Sequence, residues 1–390
     1  MYLDYFPQPF RDDLVNGIVL PYIGAGMARN ALPPLPTFNQ LAQEMAAQIP
    51  DYEYQGEPTD AMGAYEQAFG RTKLIETLAR ALNPLRIIPG PAIEAFARLP
   101  FNLVATTNFN FLLERAYQNE GRRVYPLICE EQLPLYPIEE ETSVYLLKIH
   151  GDFAYPDRIV VTETDYDAFV TRYPLYATYL ASFFADRTIL FIGYSLNDSD
   201  FRFLLRFVTE RLGRFRRLAY TIQVDANQET LLRFERRGVR TINLPGDPGQ
   251  TGVILTAVFN ELREYWLTDL LQKSIITEPA VAAELNNSAP EANRLCYFAV
   301  PRQQLAIYRE HVFPQVRKLG LIPVVADDLY LRGNTETARN LALSERAGTV
   351  VMAVEDSPVR LNTKAASGKK VIRVSGEPAR VIETLRQHLV

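Results

Sequence analysis

The sequence predicts an α/β fold: a Rossmann-like, mainly parallel sheet with a helical subdomain, followed by a second, smaller Rossmann-like or flavodoxin-like α/β unit. Three observations predict it. Apolar runs of strand length alternate with amphipathic helical stretches along most of the 390 residues, as in successive βαβ units. Four of the runs end in Gly, Asn, His or Ser, and parallel strands gather their ligands at such carboxyl ends. A polar stretch, 274–294, with Pro279, Asn286, Asn287, Ser288 and Pro290, separates two alternating regions.

Taken in order, residues 18–23 form an unbroken apolar run, read as a buried strand, that stops at Gly24-Ala25-Gly26. Missing side chains let backbone N–H groups approach a pyrophosphate there, although a plain tight turn has the same composition. Residues 38–49, 60–69, 72–83 and 91–99 carry helical periodicity, so a helical layer beside the crevice is expected over about 38–99. Further strands are expected at 103–105, ending in Thr106-Thr107-Asn108, at 144–147, ending in Lys148 and His150, and at 189–192, ending in Gly193 and Ser195. Period-two alternation puts Lys148 and His150 on one face. Residues 165–185 read as helical and rich in aromatic side chains, suited to a core or a partner surface. The pattern continues with helix 200–212, strand 218–224, helix 228–237, strand 239–244 and a long helix 253–273.

Beyond the polar stretch, strands are expected at 295–300, 322–326, 349–354 and 370–374, with helices at 305–319, 335–347 and 379–389. The expected division is a ligand-binding domain over 1–273, a linker over 274–294 and a regulatory or assembly domain over 295–390. Asp327, Asp328, Ser344 and Glu345 in the last unit offer a second ligand site or, equally well, helix caps and exposed acids.

Composition narrows the function. Hydrophobic residues make up 47% of the chain, enough for two substantial cores. Two cysteines, Cys129 and Cys296, and three histidines give no zinc ribbon and no multi-ligand metal site, so no metal is expected. The start of the chain carries Asp4, Pro7 and Pro9 instead of a basic stretch with an apolar core, and no run spans a bilayer, so a cytoplasmic protein without membrane contact is expected. With a net charge of −5, direct nucleic-acid binding is not implied. Arg211, Arg214, Arg216 and Arg217 read as a solvated helix end or a local basic patch.

The four strand ends together describe a dinucleotide site. Gly24-Ala25-Gly26, Thr106-Thr107-Asn108-Phe109-Asn110, Lys148-Ile149-His150-Gly151-Asp152, 161–166 and Gly193-Tyr194-Ser195-Leu196-Asn197-Asp198 resemble, in order and spacing, the sirtuin-like superfamily, specifically the zinc-free NAD-cleaving domains of bacterial antiphage defence. The resemblance covers about 13–266. One departure is Asn110, where the family usually carries Asp; a formal charge near the nicotinamide ribose is lost, while donor and acceptor capacity is kept.

The resemblance implies that NAD is the substrate of an NAD glycohydrolase that yields nicotinamide and ADP-ribose, or its cyclic form, and depletes NAD during phage infection. Asn108 would orient water or ribose and His150 would serve as general base, its ordinary pKa lying near neutrality. Gly24, Ala25 and Gly26 would meet the phosphates. Thr107, Asn110, Gly193, Ser195 and Asp198 complete the expected binding set, with Asp198 also suited to capping a helix. A homo-oligomer and a HerA-like hexameric ATPase partner are further implications. Two rival readings stay open: a non-catalytic sensor or scaffold for NAD or ADP-ribose, and a zinc-free deacylase or ADP-ribosyltransferase.

Overall fold

The computed structural model describes residues 1–82, 87–135, 143–195, 213, 216–276, 279, 281, 294–330, 336–353, 370–374 and 378–389. Its strands are β1 (Val19–Ile23), β2 (Ala31–Leu32), β3 (Ile88–Pro89), β4 (Leu103–Thr106), β5 (Arg123–Leu127), β6 (Ser143–Lys148), β7 (Thr188–Ile192) and β8 (Ala219–Val224). They continue as β9 (Val239–Leu244), β10 (Ile275–Ile276), β11 (Leu295–Ala299), β12 (Ile322–Val324), β13 (Leu329–Tyr330), β14 (Thr349–Ala353) and β15 (Lys370–Val374).

The larger sheet has seven strands in the order β5-β6-β4-β1-β7-β8-β9, and every pairing in it is parallel. Its α/β character is the predicted one. The central strands are apolar throughout because both of their faces are buried. Along β1, Val19 and Ile23 enter one core and Leu20 and Tyr22 the other. The chain builds from β1 to β4 on one side and later returns to β7 on the other, so the order reverses between β1 and β7. Ligands of open parallel sheets bind at the carboxyl ends beside such a reversal.

Helices Phe38–Ala46, Pro58–Phe69 and Arg71–Leu82 form the expected helical layer, with a core of Leu41, Met45, Met62, Tyr65, Leu74 and Leu78. It closes on Ile159 and Val161, in the segment that follows His150. The fourth expected helix, Pro91–Ala97, instead joins the main core, where Phe96 meets Phe259 at 5.6 Å between ring centroids.

Two details go beyond those expectations. Residues 165–185 are two helices, Glu163–Arg172 and Pro174–Asp186, because Pro174 has no N–H to donate and holds Tyr173 out of helical geometry, at φ −130°. Strand β5 escaped sequence reading; its Pro126 interrupts the apolar pattern and is tolerated because β5 lies at the sheet edge.

The second sheet runs β12-β11-β14-β15, also all parallel. Leu295, Tyr297 and Ala299 on one face of β11 share a core with the helix Thr251–Lys273, while Cys296 and Phe298 face a separate cluster. Burying one such side chain is worth about 1.5–3 kcal/mol. The long helix buries a broad face, from Ile254 and Leu255 round to Leu270 and Leu271, and leaves a stripe of Asn260, Glu264, Thr268 and Gln272 exposed. An ion pair between Arg263 and Glu345 and the antiparallel pairing of β10 with β13 add polar ties to this contact. Among the described residues, no helix is long and apolar enough to cross a membrane.

Candidate functional site

The four motifs singled out in the sequence follow β7, β1, β4 and β6, which are consecutive neighbours in the sheet. At about 4.8 Å per strand the row of strand ends extends about 14 Å along one edge, a line rather than a point.

At the reversal, the turns after β1 and β7 are pressed together. Gly24 N–H donates to Ile192 O at 2.9 Å and Gly26 N–H to Gly193 O at 2.8 Å. A Cβ on Gly26 would lie 2.8 Å from Gly193 Cα, and one on Gly193, whose φ is +63°, would lie 2.3 Å from Met27 N. The closeness these glycines permit is therefore first to each other. Ala25 and Gly26 remain on the surface, as does Ser195, whose carbonyl accepts from Arg237 at 3.0 Å. Asp198, and the helix expected at 200–212 with Arg211, lie outside the described residues, as does Arg214.

On the next strand, Thr107 N–H donates to Ile23 O at 3.2 Å and the buried Thr106 hydroxyl donates to the same carbonyl at 3.0 Å. The Thr106 oxygen also accepts from Asn108 N–H at 3.1 Å, which sets the direction of the loop. Asn108, 8% exposed, reaches across to Gly24 O through Nδ2 at 3.2 Å. Asn110 is 5% exposed and its Oδ1 accepts from Leu112 N–H at 3.3 Å, opening the helix Leu112–Asn119. The residue that replaces the family's Asp thus serves the backbone, an Asx-turn role that Asn performs as well as Asp.

Strand β6 ends at Lys148, where Gly151 N–H returns to Lys148 O at 3.0 Å and Gly151 takes φ +76°. This turn ends the period-two alternation, so Lys148 and His150 do not share a face as expected. Lys148 points to the helix Leu112–Asn119, bonding Asn110 O and Glu114 Oε1 at 2.8 Å each. It is a structural cation rather than a phosphate ligand. His150 is 1% exposed and turns to the helix Glu163–Arg172, edge-on to Tyr166 at 4.9 Å and to Phe169 at 6.3 Å. Its Nδ1 lies 3.4 Å from the Tyr166 hydroxyl. Tyr166 is the neighbour of His150 that sequence reading did not assign. The signal was present, because Thr162 and Asp165 form a capping box that fixes Tyr166 in the first turn of its helix.

Asp165 also binds Arg71 of the helical layer at 2.8 Å. Burial alone would raise its pKa, but the N–H groups of Thr162 and Val161 and the Arg71 guanidinium outweigh it and hold the carboxyl below its ordinary value. Burial pushes the Cys296 thiol up to about 12, so it is a packing residue. Elsewhere, Asp328 accepts from Val325 N–H and pairs with Arg309 at 2.8 Å, and Ser344 donates to Leu341 O. Glu345 pairs with Arg263, so Asp328, Ser344 and Glu345 all hold structural partners. Arg216 and Arg217 bind Gly238 O and Asp13. Among the described residues, no group of three or more His, Cys, Asp or Glu could hold a metal ion.

The SIR2-like domain family matches residues 102–242, the part of the chain that carries the Asn loop, the His turn and the turn after β7. The family resemblance read from the motifs is thereby borne out. Three relatives show the particular kinship. The chain is 28% identical over 159 residues to "NAD(+) hydrolase ThsA" of Acinetobacter baumannii (strain 532279), covering 41% of this chain and 32% of that protein. It is 28% identical over 203 residues to "NAD(+) hydrolase ThsA" of Bacillus cereus (strain MSX-D12), covering 51% and 42%. It is 32% identical over 146 residues to "Defense-associated sirtuin 2" of Bacillus subtilis, covering 36% and 14%. The matches thus span less than half the length of each of these relatives.

Proposed function

We propose that this protein is an NAD glycohydrolase that releases nicotinamide from NAD and so depletes the cytoplasmic NAD pool in defence against phage. The carrying observation is that Asn108 and His150 follow adjacent paired strands, in register at Thr106 and Lys148, beside the glycine turn. The names of the relatives support the same reading. Cleavage develops an oxocarbenium-like ribose and needs the substrate held, a hydroxyl or water oriented, and a base for its proton. The exposed Ala25-Gly26 turn would take the pyrophosphate. The Asn108 amide, steadied by Gly24 O, would direct a ribose hydroxyl or water. For His150 to act as base, Nδ1–H must donate to the Tyr166 oxygen, leaving the Nε2 lone pair for the proton. Self-assembly, control by the second sheet and docking of a HerA-like ATPase belong to the same proposal.

The test is nicotinamide release by the purified protein, alone and with the product of the neighbouring gene. Asn108→Ala and His150→Ala should each lower the rate by about 10²–10⁴-fold. Full activity in either variant refutes the assignment of that residue. One observation favours a second reading, a sensor that binds NAD or ADP-ribose without cleaving it: the His150 ring is almost wholly buried beneath aromatic side chains. Tight NAD binding without nicotinamide release under every condition would establish that one.

A further inference from the structure

We propose that Lys148 is a positioning residue, whose ammonium fixes the turn carrying His150 to the loop carrying Asn108. The rate it predicts rests on the NAD-cleaving reading above; the place it gives His150 rests on geometry alone.

Lys148 is 1% exposed, so its charge must be matched locally. Its Nζ sits 2.8 Å from Asn110 O and from Glu114 Oε1, and 3.8 Å from Asp152 Oδ2. Two of the ammonium's three donors are directed at the Asn108 loop and the helix behind it, while Asp152, on the far side of the His150 turn, stands at ion-pair distance only. Two buried carboxyl groups thus face one cation, and the buried Arg158 guanidinium lies over the Tyr173 ring at 3.3 Å. The same Arg158 backs the turn, since its carbonyl would lie 2.5 Å from a Cβ on Gly151.

Stability does not explain this arrangement. Apolar side chains of similar volume usually serve as well as a buried ion pair, or better. What the ion pair adds is direction: hydrogen bonds fix where two loops stand relative to each other, which apolar contact does not. Lys148 is two residues before His150 and Asn110 two residues after Asn108, so the bond between them sets the separation of the two proposed catalytic groups.

The test replaces both partners at once, Lys148→Met with Glu114→Leu, so that no buried charge is stranded on either. Thermal unfolding checks that the fold survives. The chain has three histidines, His150, His311 and His388, and the last two are exposed on helices of the second unit, so ring resonances of histidine-labelled protein give a simple spectrum. His150→Ala identifies its own signal. In the double variant the His150 resonance should shift and broaden while the other two stay in place. In the nicotinamide assay kcat should fall about 100-fold with NAD affinity unchanged, the effect of a misplacement of about 1 Å. An unmoved His150 resonance overturns the proposal, and so does a wild-type kcat. If the unmodified protein releases no nicotinamide, the NAD-cleaving reading fails, and the resonance still decides the role of Lys148. If the double variant does not fold, Glu114→Gln removes the charge but keeps an acceptor; a smaller shift of the same signal supports the proposal and no shift overturns it.

Discussion

Gly193 shows how much one missing side chain decides. It adopts φ +63° and lies against Met27 N and Gly26, so an alanine there meets both backbone strain and a steric clash. Gly193→Ala should cost about 1–3 kcal/mol for the strained conformation alone, read as a lower midpoint in urea with an unchanged slope. The sequence marks this position as special because glycine follows a strand. It does not say that the space is needed for another loop, since the contact joins residues far apart in the chain. For the same reason Asn108 was legible and its bond to Gly24 was not. His150 was legible too, whereas the divergence of Lys148 depends on the turn that ends β6.

Elements were read well wherever periodicity ran uninterrupted. The strands of the larger sheet that are buried on both faces announced themselves as apolar runs, and β9 came out with its observed ends, whereas β5 was hidden by its edge position and its proline. Proline also explains a widened turn at Tyr308–Val312, a π-helical segment just ahead of Pro314, where an α-helical carbonyl would collide with the ring. The helical layer is tied to the segment after His150 through Arg71, which pairs with Asp165 and donates to Ile159 O. Because the Asp165 carboxyl titrates below its ordinary value when folded, its contribution is present above the unfolded pKa, near 4, and is lost as pH falls through the lower folded value. Asp165→Asn should therefore lower stability by about 1–3 kcal/mol at neutral pH and flatten the acid limb of unfolding measured by fluorescence. An unchanged acid limb would show that Arg71 and the capping box hold the layer without this charge.

At the scale of the whole molecule, alternation made two parallel sheets legible, and both are present, while most of the polar stretch at 274–294 lies outside the described residues. What the sequence could not convey is that one helix serves two cores. Thr251–Lys273 looks like the last helix of the first unit, yet Leu295 and Tyr297 of the second sheet join the same cluster. A chain ending at Lys273 would leave part of that helix bare, and exposed apolar surface of this kind promotes aggregation. Such a piece should be largely insoluble by sedimentation while the full chain stays in solution. The pairing of Ile275 with Tyr330 and Ile276 with Leu329 carries this further. It means that covalent continuity and assembly are separate matters here. Two pieces, residues 1–276 and 294–390, made together in one cell, should recognise each other and copurify through a tag on only one of them, so that the polypeptide can be divided without dividing the protein.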